Sequence, residues 1–193
     1  RDVVTQYKPF AGSSTAFLSV AAGTRIATFE ELLGKNVPVI RCMPNTPAAI
    51  GKGMMVVVGN ENVPGETMAF VTDLLAASGE VASIADESLM DAVTAVSGSG
   101  PAYIFHFIEC LTAAGTAVGL PEETAALLAK QTVYGAACLA AESAADPATL
   151  RKQVTSPNGT TAAALEVLMG GDRLKNLLTE AVEAARKRGA ELG

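Results

Sequence analysis

Between Val154 and Thr161 the chain reads Val-Thr-Ser-Pro-Asn-Gly-Thr-Thr, and an apolar-periodic run (Ala162, Leu165, Leu168, Met169) follows directly. Small hydroxyls, a proline and a glycine ahead of such a run mark a helix N-terminus, where backbone N–H groups lack intrahelical partners. The same end carries partial positive charge, so it suits a carboxylate or a phosphate. Two readings of the local sequence stand side by side: an anion site built from Ser156, Gly159, Thr160 and Thr161, and an ordinary capped turn.

Other stretches offer a surface rather than a reactive group. Val20-Ala21-Ala22-Gly23 ends an expected strand, and on their own these residues read as a plain strand-to-turn transition. Met43-Pro44-Asn45-Thr46-Pro47 also follows an expected strand; its prolines stiffen the loop while Asn45 and Thr46 offer hydrogen bonds. That loop serves equally as a pocket wall or as a structural turn. In Gly98-Ser99-Gly100-Pro101 the glycines permit close approach of a ligand, or of a packed neighbour. Glu87 lies beside an expected helix cap at Asp86, a position that the helix dipole alone favours for an acid.

The chain's single histidine, His106, sits between Phe105 and Phe107 in an apolar helical run and reads as a core or interface residue rather than a proton donor. Cys42, Cys110 and Cys138 are far apart, without metal-ligand spacing, and read as reduced thiols; no metal is expected. A net charge of −6 and the absence of any basic cluster beyond Arg186-Lys187-Arg188 argue against nucleic acid or an anionic membrane as partner. No continuous apolar stretch reaches the length of a membrane span.

Taken together, the motifs form a pattern. Leu150-x3-Val154-Thr155-Ser156-x2-Gly159-x-Thr161-x2-Ala164-Leu165 resembles the signature of pyrroline-5-carboxylate reductases. Arg41-Cys42-Met43-Pro44-Asn45-Thr46-Pro47, Asp91 to Tyr103, and Gly119-Leu120-Pro121 resemble the same family in order and spacing, and Val20-Ala21-Ala22-Gly23 fits as well. The resemblance implies hydride transfer from NADPH or NADH to the imine of 1-pyrroline-5-carboxylate, giving L-proline, in a cytoplasmic enzyme. It implies that Thr161 is catalytic and that Glu87, Ser156, Gly159, Thr160 and Thr161 bind the substrate. Val20, Ala21, Ala22, Asn45, Gly98, Gly100 and Pro101 would contact the dinucleotide. It further implies a homodimer, or a larger homo-oligomer built from dimers. Rival readings are a related two-domain 3-hydroxyacid-type dehydrogenase, for which Lys130 and His106 lack a supporting motif, and a non-catalytic helical dimerisation fragment.

One family feature is not found. The Gly-x-Gly-x-x-Gly turn of a Rossmann unit has no counterpart, since Gly98-Ser99-Gly100 is followed by Pro101 and carries Tyr at 103. The expectation is that roughly the first 90 residues of a family-length protein, about half a domain on usual sizes, precede Arg1.

The elements that must hold these residues change character near Asp86. Before it, strands are expected at 16–20, 37–42, 54–58 and 81–84, with helices at 26–33 and 64–77. This is the C-terminal part of an α/β, Rossmann-type dinucleotide-binding domain over residues 1–85. Residues 86–193 read as an all-α dimerisation and substrate domain. There Asp86 caps a helix carrying Leu89, Val93 and Val96, the Ser-Gly-Ser-Gly-Pro segment interrupts it, and an apolar helix resumes over 102–118. Helices over 122–143 and 148–154, and one from Asp172 onward, complete the domain. The 102–118 helix is apolar on nearly all sides, which predicts burial in a larger helical assembly.

Overall fold

The computed structural model describes residues 2–12 and 14–192. They form two compact units, one of the described residues up to Pro101 together with those from Ala181 onward, the other of Ala102–Glu180. The first opens with a short helix α1 (Asp2–Gln6) and a 3-10 turn, then builds a sheet from β1 (Phe17–Ser19), β2 (Val39–Met43), β3 (Gly53–Gly59) and β4 (Gly79–Ser83). Strand order follows the chain: β1 pairs parallel with β2, β2 antiparallel with β3, and β3 parallel with β4. The parallel pairs are joined by α2 (Ile26–Leu33) and α3 (Gly65–Ala76), so two βαβ units meet along one antiparallel seam.

Alternation along β2 explains why the whole strand is buried. Val39 and Met43 face Ile26, Phe29 and Leu33 of α2, while Ile40 and Cys42 pack with Met55, Val57 and Val71 on the α3 side. Arg41 shares the α2 face with Val39 and Met43, a charged side chain in a strand that otherwise reads as core. Burial pushes the Cys42 thiol up to about 11 from its ordinary 9.0. The folded chain therefore holds that proton more tightly, so this contribution to stability is complete below pH 9.0 and is lost as pH rises toward 11. At pH 8 iodoacetamide is expected to spare Cys42 in the native protein and to label it in denaturant. Equal labelling rates in the two states would contradict the burial described.

After the sheet the chain is helical. Asp86 caps a 3-10 turn, Glu87–Leu89, its Oδ1 accepting from the Ser88 N–H at 2.8 Å and its Oδ2 from the Ser88 hydroxyl at 2.7 Å. Those bonds hold its carboxyl below the usual carboxylate range, the hydroxyl bond contributing most. Helix α4 (Met90–Val93) follows, but the buried stripe differs from the expected one: Met90 and Ala95 are buried, whereas Leu89 and Val96 are exposed. The Ser-Gly-Ser-Gly-Pro segment does not break the helix either. Thr94–Gly98 widens into a π turn, closed by the Ser99 N–H donating to Thr94 O at 2.8 Å, and α5 (Gly100–Ala117) begins at once. A proline at 101 clashes with the carbonyl four residues back, and widening the turn relieves that clash without leaving helical backbone angles.

The second unit holds the remainder of α5 with α6 (Glu122–Glu142), α7 (Pro147–Gln153), α8 (Thr160–Met169) and the start of α9 (Arg173–Leu192). Gly119, at φ +104°, provides the left-handed residue that ends the α5 segment. Asp146 caps α7 through the N–H groups of Ala148 and Thr149. Helix α9 starts at Arg173 rather than Asp172, which adopts φ +56°. Helix α5 has no buried residue, and Ile104, Phe105, Phe107 and Val118 are exposed. Among the described residues of this unit only Ala125 and Ala129 are buried, so the unit does not itself cover its apolar surface.

Candidate functional site

The Ser156 turn is built as its composition suggests. Pro157 occupies the first corner, Asn158 takes φ +58° at the second, and the Gly159 N–H donates to Ser156 O at 3.1 Å. A Cβ at 159 would overlap Ser156 Oγ, so glycine is required for that close approach. Gly159 is the N-cap of α8 and no side chain caps this end; the first intrahelical bond runs from Ala163 N–H to Gly159 O at 3.2 Å. The N–H groups of Thr160, Thr161 and Ala162 thus precede the hydrogen-bonded ladder. Among the described residues, the hydroxyls of Ser156, Thr160 and Thr161 have no hydrogen-bond partner. Ser156 and Thr160 are exposed and Thr161 is half-buried. Thr161 is therefore not the helix cap that its position allowed.

In the first unit, Val20, Ala21 and Ala22 follow β1 and are all exposed. The Ala21 N–H donates to Ser19 Oγ at 3.3 Å. Val20 and Ala21 line a cavity of ≈ 650 Å³ together with Tyr7, Ser19 and Thr24, while Ala22 lies outside that lining. These residues at a strand's carboxyl end present almost no bulk, which fits the approach of a flat ring.

Asn45 and the π turn are in direct contact. Asn45 Oδ1 accepts from the Met54 N–H at 2.9 Å, and its Nδ2 donates to Ser97 O at 3.2 Å and Ser97 Oγ at 3.4 Å. Gly98 rests near Met43, whose Sδ would lie 3.6 Å from a Cβ at 98, and Gly100 opens onto free space. Pro101 is half-buried at the start of α5.

Glu87 is committed within the fold. Its Oε1 accepts from Arg41 Nη1 at 3.0 Å and from the Ile26 N–H, the first of α2, at 2.9 Å. The side chains are 3% exposed for Arg41 and 25% for Glu87, so this ion pair is largely removed from water. Arg41 Nε is buried with no partner among the described residues. Sequence reasoning did not single out Arg41 for chemistry; a lone arginine within a β-branched strand was the available signal. His106 is not a core residue of the chain, because its side chain is 75% exposed and its Nδ1 pairs with Glu109 at 2.9 Å.

Among the described residues no group of His, Cys, Asp and Glu could hold a metal ion, and no helix is long and apolar enough to cross a membrane. The geometry thus offers an open helix start with free hydroxyls in one unit. The other unit, taken by itself, holds a strand end and a π turn of small residues and a loop stiffened by two prolines.

Comparison with known proteins bears on that arrangement. Residues 87–192 match the family described as pyrroline-5-carboxylate reductase dimerisation. A pyrroline-5-carboxylate reductase of Pseudomonas aeruginosa is 45% identical over 175 residues, covering 91% of this chain and 64% of its own length. The chain thus spans somewhat less than two thirds of that relative. The solved structure of a pyrroline-5-carboxylate reductase from Coxiella burnetii superposes with a TM-score of 0.94 at 38% identity, covering 100% of this chain and 71% of that one. A Plasmodium falciparum pyrroline carboxylate reductase, solved with NADP bound, matches with a TM-score of 0.86 at 34% identity, covering 100% of this chain and 76% of its own. With more than half of its residues in the family's dimerisation region and its whole length superposing on solved members, the chain belongs to the pyrroline-5-carboxylate reductase family.

Proposed function

We propose that the whole protein reduces 1-pyrroline-5-carboxylate to L-proline, the last step of proline biosynthesis, in the cytoplasm. The observation that carries this reading is the first turn of α8, where unsatisfied N–H groups and free hydroxyls lie side by side, in a chain of this family. The substrate carboxylate would sit on the N–H groups of Thr160 and Thr161, with Ser156 and Thr160 hydroxyls donating to it, favoured by the helix dipole. Gly159 allows its approach, and the family resemblance adds Glu87 to the substrate-binding residues. Thr161 Oγ1 accepts a hydrogen bond from the protonated ring nitrogen and orients the imine carbon.

NADPH or NADH, when bound, supplies the hydride; the imine carbon accepts it while the C=N electron pair passes to nitrogen, which keeps its proton. Val20, Ala21 and Ala22, with Gly98, Gly100 and Pro101, give the nicotinamide a wall without bulky side chains. Residues 1–85 form the C-terminal part of the dinucleotide-binding domain and residues 86–193 the helical dimerisation and substrate domain. A second copy of the chain covers the exposed apolar faces of α5 and α6, as a homodimer or a larger homo-oligomer built from dimers. The three free cysteines support a reducing compartment.

The test is to incubate the full-length protein with the imine and either nucleotide while following nucleotide oxidation and proline. Proline should form in equal amount to oxidised nucleotide. Absence of proline with both nucleotides would end this reading.

A further inference from the structure

Ser97 occupies an unusual chemical position. In a regular α-helix its carbonyl would accept from the N–H of residue 101, but residue 101 is proline and has none. Ser97 is half-buried in the π turn, and its carbonyl needs another donor. Asn45 Nδ2 lies 3.2 Å from Ser97 O and 3.4 Å from Ser97 Oγ, while Oδ1 is held by the Met54 N–H at 2.9 Å. Both ends of the amide are therefore engaged, which fixes its orientation and leaves little capacity for a ligand.

We propose that Asn45 is a positioning residue. It supplies the N–H that Pro101 cannot, and so pins the glycine-lined π turn, Thr94–Gly98, against the Met43–Pro47 loop and β3. This departs from a direct cofactor contact by Asn45, and it rests on the reading above that the π turn borders the nicotinamide. The small residues on the two segments then act as one wall, whose spacing is set by one side-chain amide.

The idea yields a coupling that a direct contact does not. Asn45→Asp keeps the acceptor for Met54 but replaces the donor with an oxygen that repels the Ser97 carbonyl. Pro101→Ala restores an N–H at position 101 and lets the helix close regularly, so Ser97 no longer depends on Asn45. In the full-length protein, Asn45→Asp alone should raise KM for the dinucleotide on the order of tenfold and lower the ligand-free unfolding temperature. Placed on Pro101→Ala, whatever that change itself costs, the same substitution should have a several-fold smaller effect on both quantities. Unfolding of Asn45→Asp that Pro101→Ala rescues is the same coupling in stronger form.

An equal penalty on KM in both backgrounds, with unchanged unfolding temperature, would show a direct ligand contact and overturn the proposal. So would wild-type behaviour of Asn45→Asp, or a loss of folding that Pro101→Ala does not relieve. A wild-type protein that makes no proline would defeat the reductase reading. The ligand-free unfolding cycle would then decide the Asn45–Ser97–Pro101 link by itself.

Discussion

Glu87→Ala is expected to lower the unfolding free energy by about 3–5 kcal/mol, the range found when one partner of a buried ion pair is removed. The substitution leaves the Arg41 guanidinium, 3% exposed, without its carboxylate, in a site where Nε already has no partner. It also takes the acceptor from the Ile26 N–H, so the first turn of α2 loses its anchor. Removing both charges should be far milder, because an apolar pair such as Arg41→Met with Glu87→Leu carries no desolvated charge. Equilibrium denaturation of the two variants measures the contrast. A Glu87→Ala cost within about 1 kcal/mol would class the pair with exposed salt bridges and refute its burial. Glu87→Gln keeps a neutral oxygen for both the Ile26 N–H and Arg41 Nη1 while removing the charge, so it should disturb the fold less than Glu87→Ala. A rise in KM for the imine well below its unfolding temperature would support the substrate role proposed for this residue.

Thr161→Val should lose roughly 10- to 150-fold in kcat/KM for the imine, the equivalent of about 1.5–3 kcal/mol for a hydrogen bond to a charged group. Unfolding and dinucleotide affinity should stay near wild type. The argument is geometric: Gly159 rather than Thr161 caps α8, and the Thr161 hydroxyl has no partner among the described residues that its loss would orphan. Valine keeps the shape and deletes only the oxygen. Wild-type kinetics in a folded Thr161→Val protein would remove Thr161 from the site, whereas a large loss of stability would return it to the role of a structural cap.

Much of the scaffold was legible because period and punctuation agreed. Helix α2 was read at its observed ends, and α7 was announced by the Asp146-Pro147 cap. The strands were placed to within a residue or two, since continuous β-branched runs leave only the terminal pairing undecided. The π turn was not legible: glycines around Pro101 signal a break, yet widening by one residue satisfies the proline at lower cost. Burial at Met90 and Ala95 rather than Leu89 and Val96 follows an i, i+5 spacing, which a regular 3.6-residue period does not anticipate. Arg41 and Glu87 are separated by 46 residues, and no local pattern announces such a pair. The free hydroxyls of the Ser156 turn were visible as types, but their lack of internal partners required the folded backbone.

The strand order has a consequence for synthesis on the ribosome. Every strand pairs with the next one along the chain, so the sheet assembles from neighbours as they emerge, with Phe17 opposite Val39 and Gly53 opposite Gly79. Arg41 is the exception, for its counter-charge follows 46 residues later. At translation rates of about 5–20 residues per second that delay is roughly 2–9 s. During it, the strand destined for the centre of the sheet carries a bare cation that opposes its own dehydration. Neutralisation of Arg41 is complete only once Glu87 has emerged, so the last buried charge of the sheet is balanced from the segment that follows it.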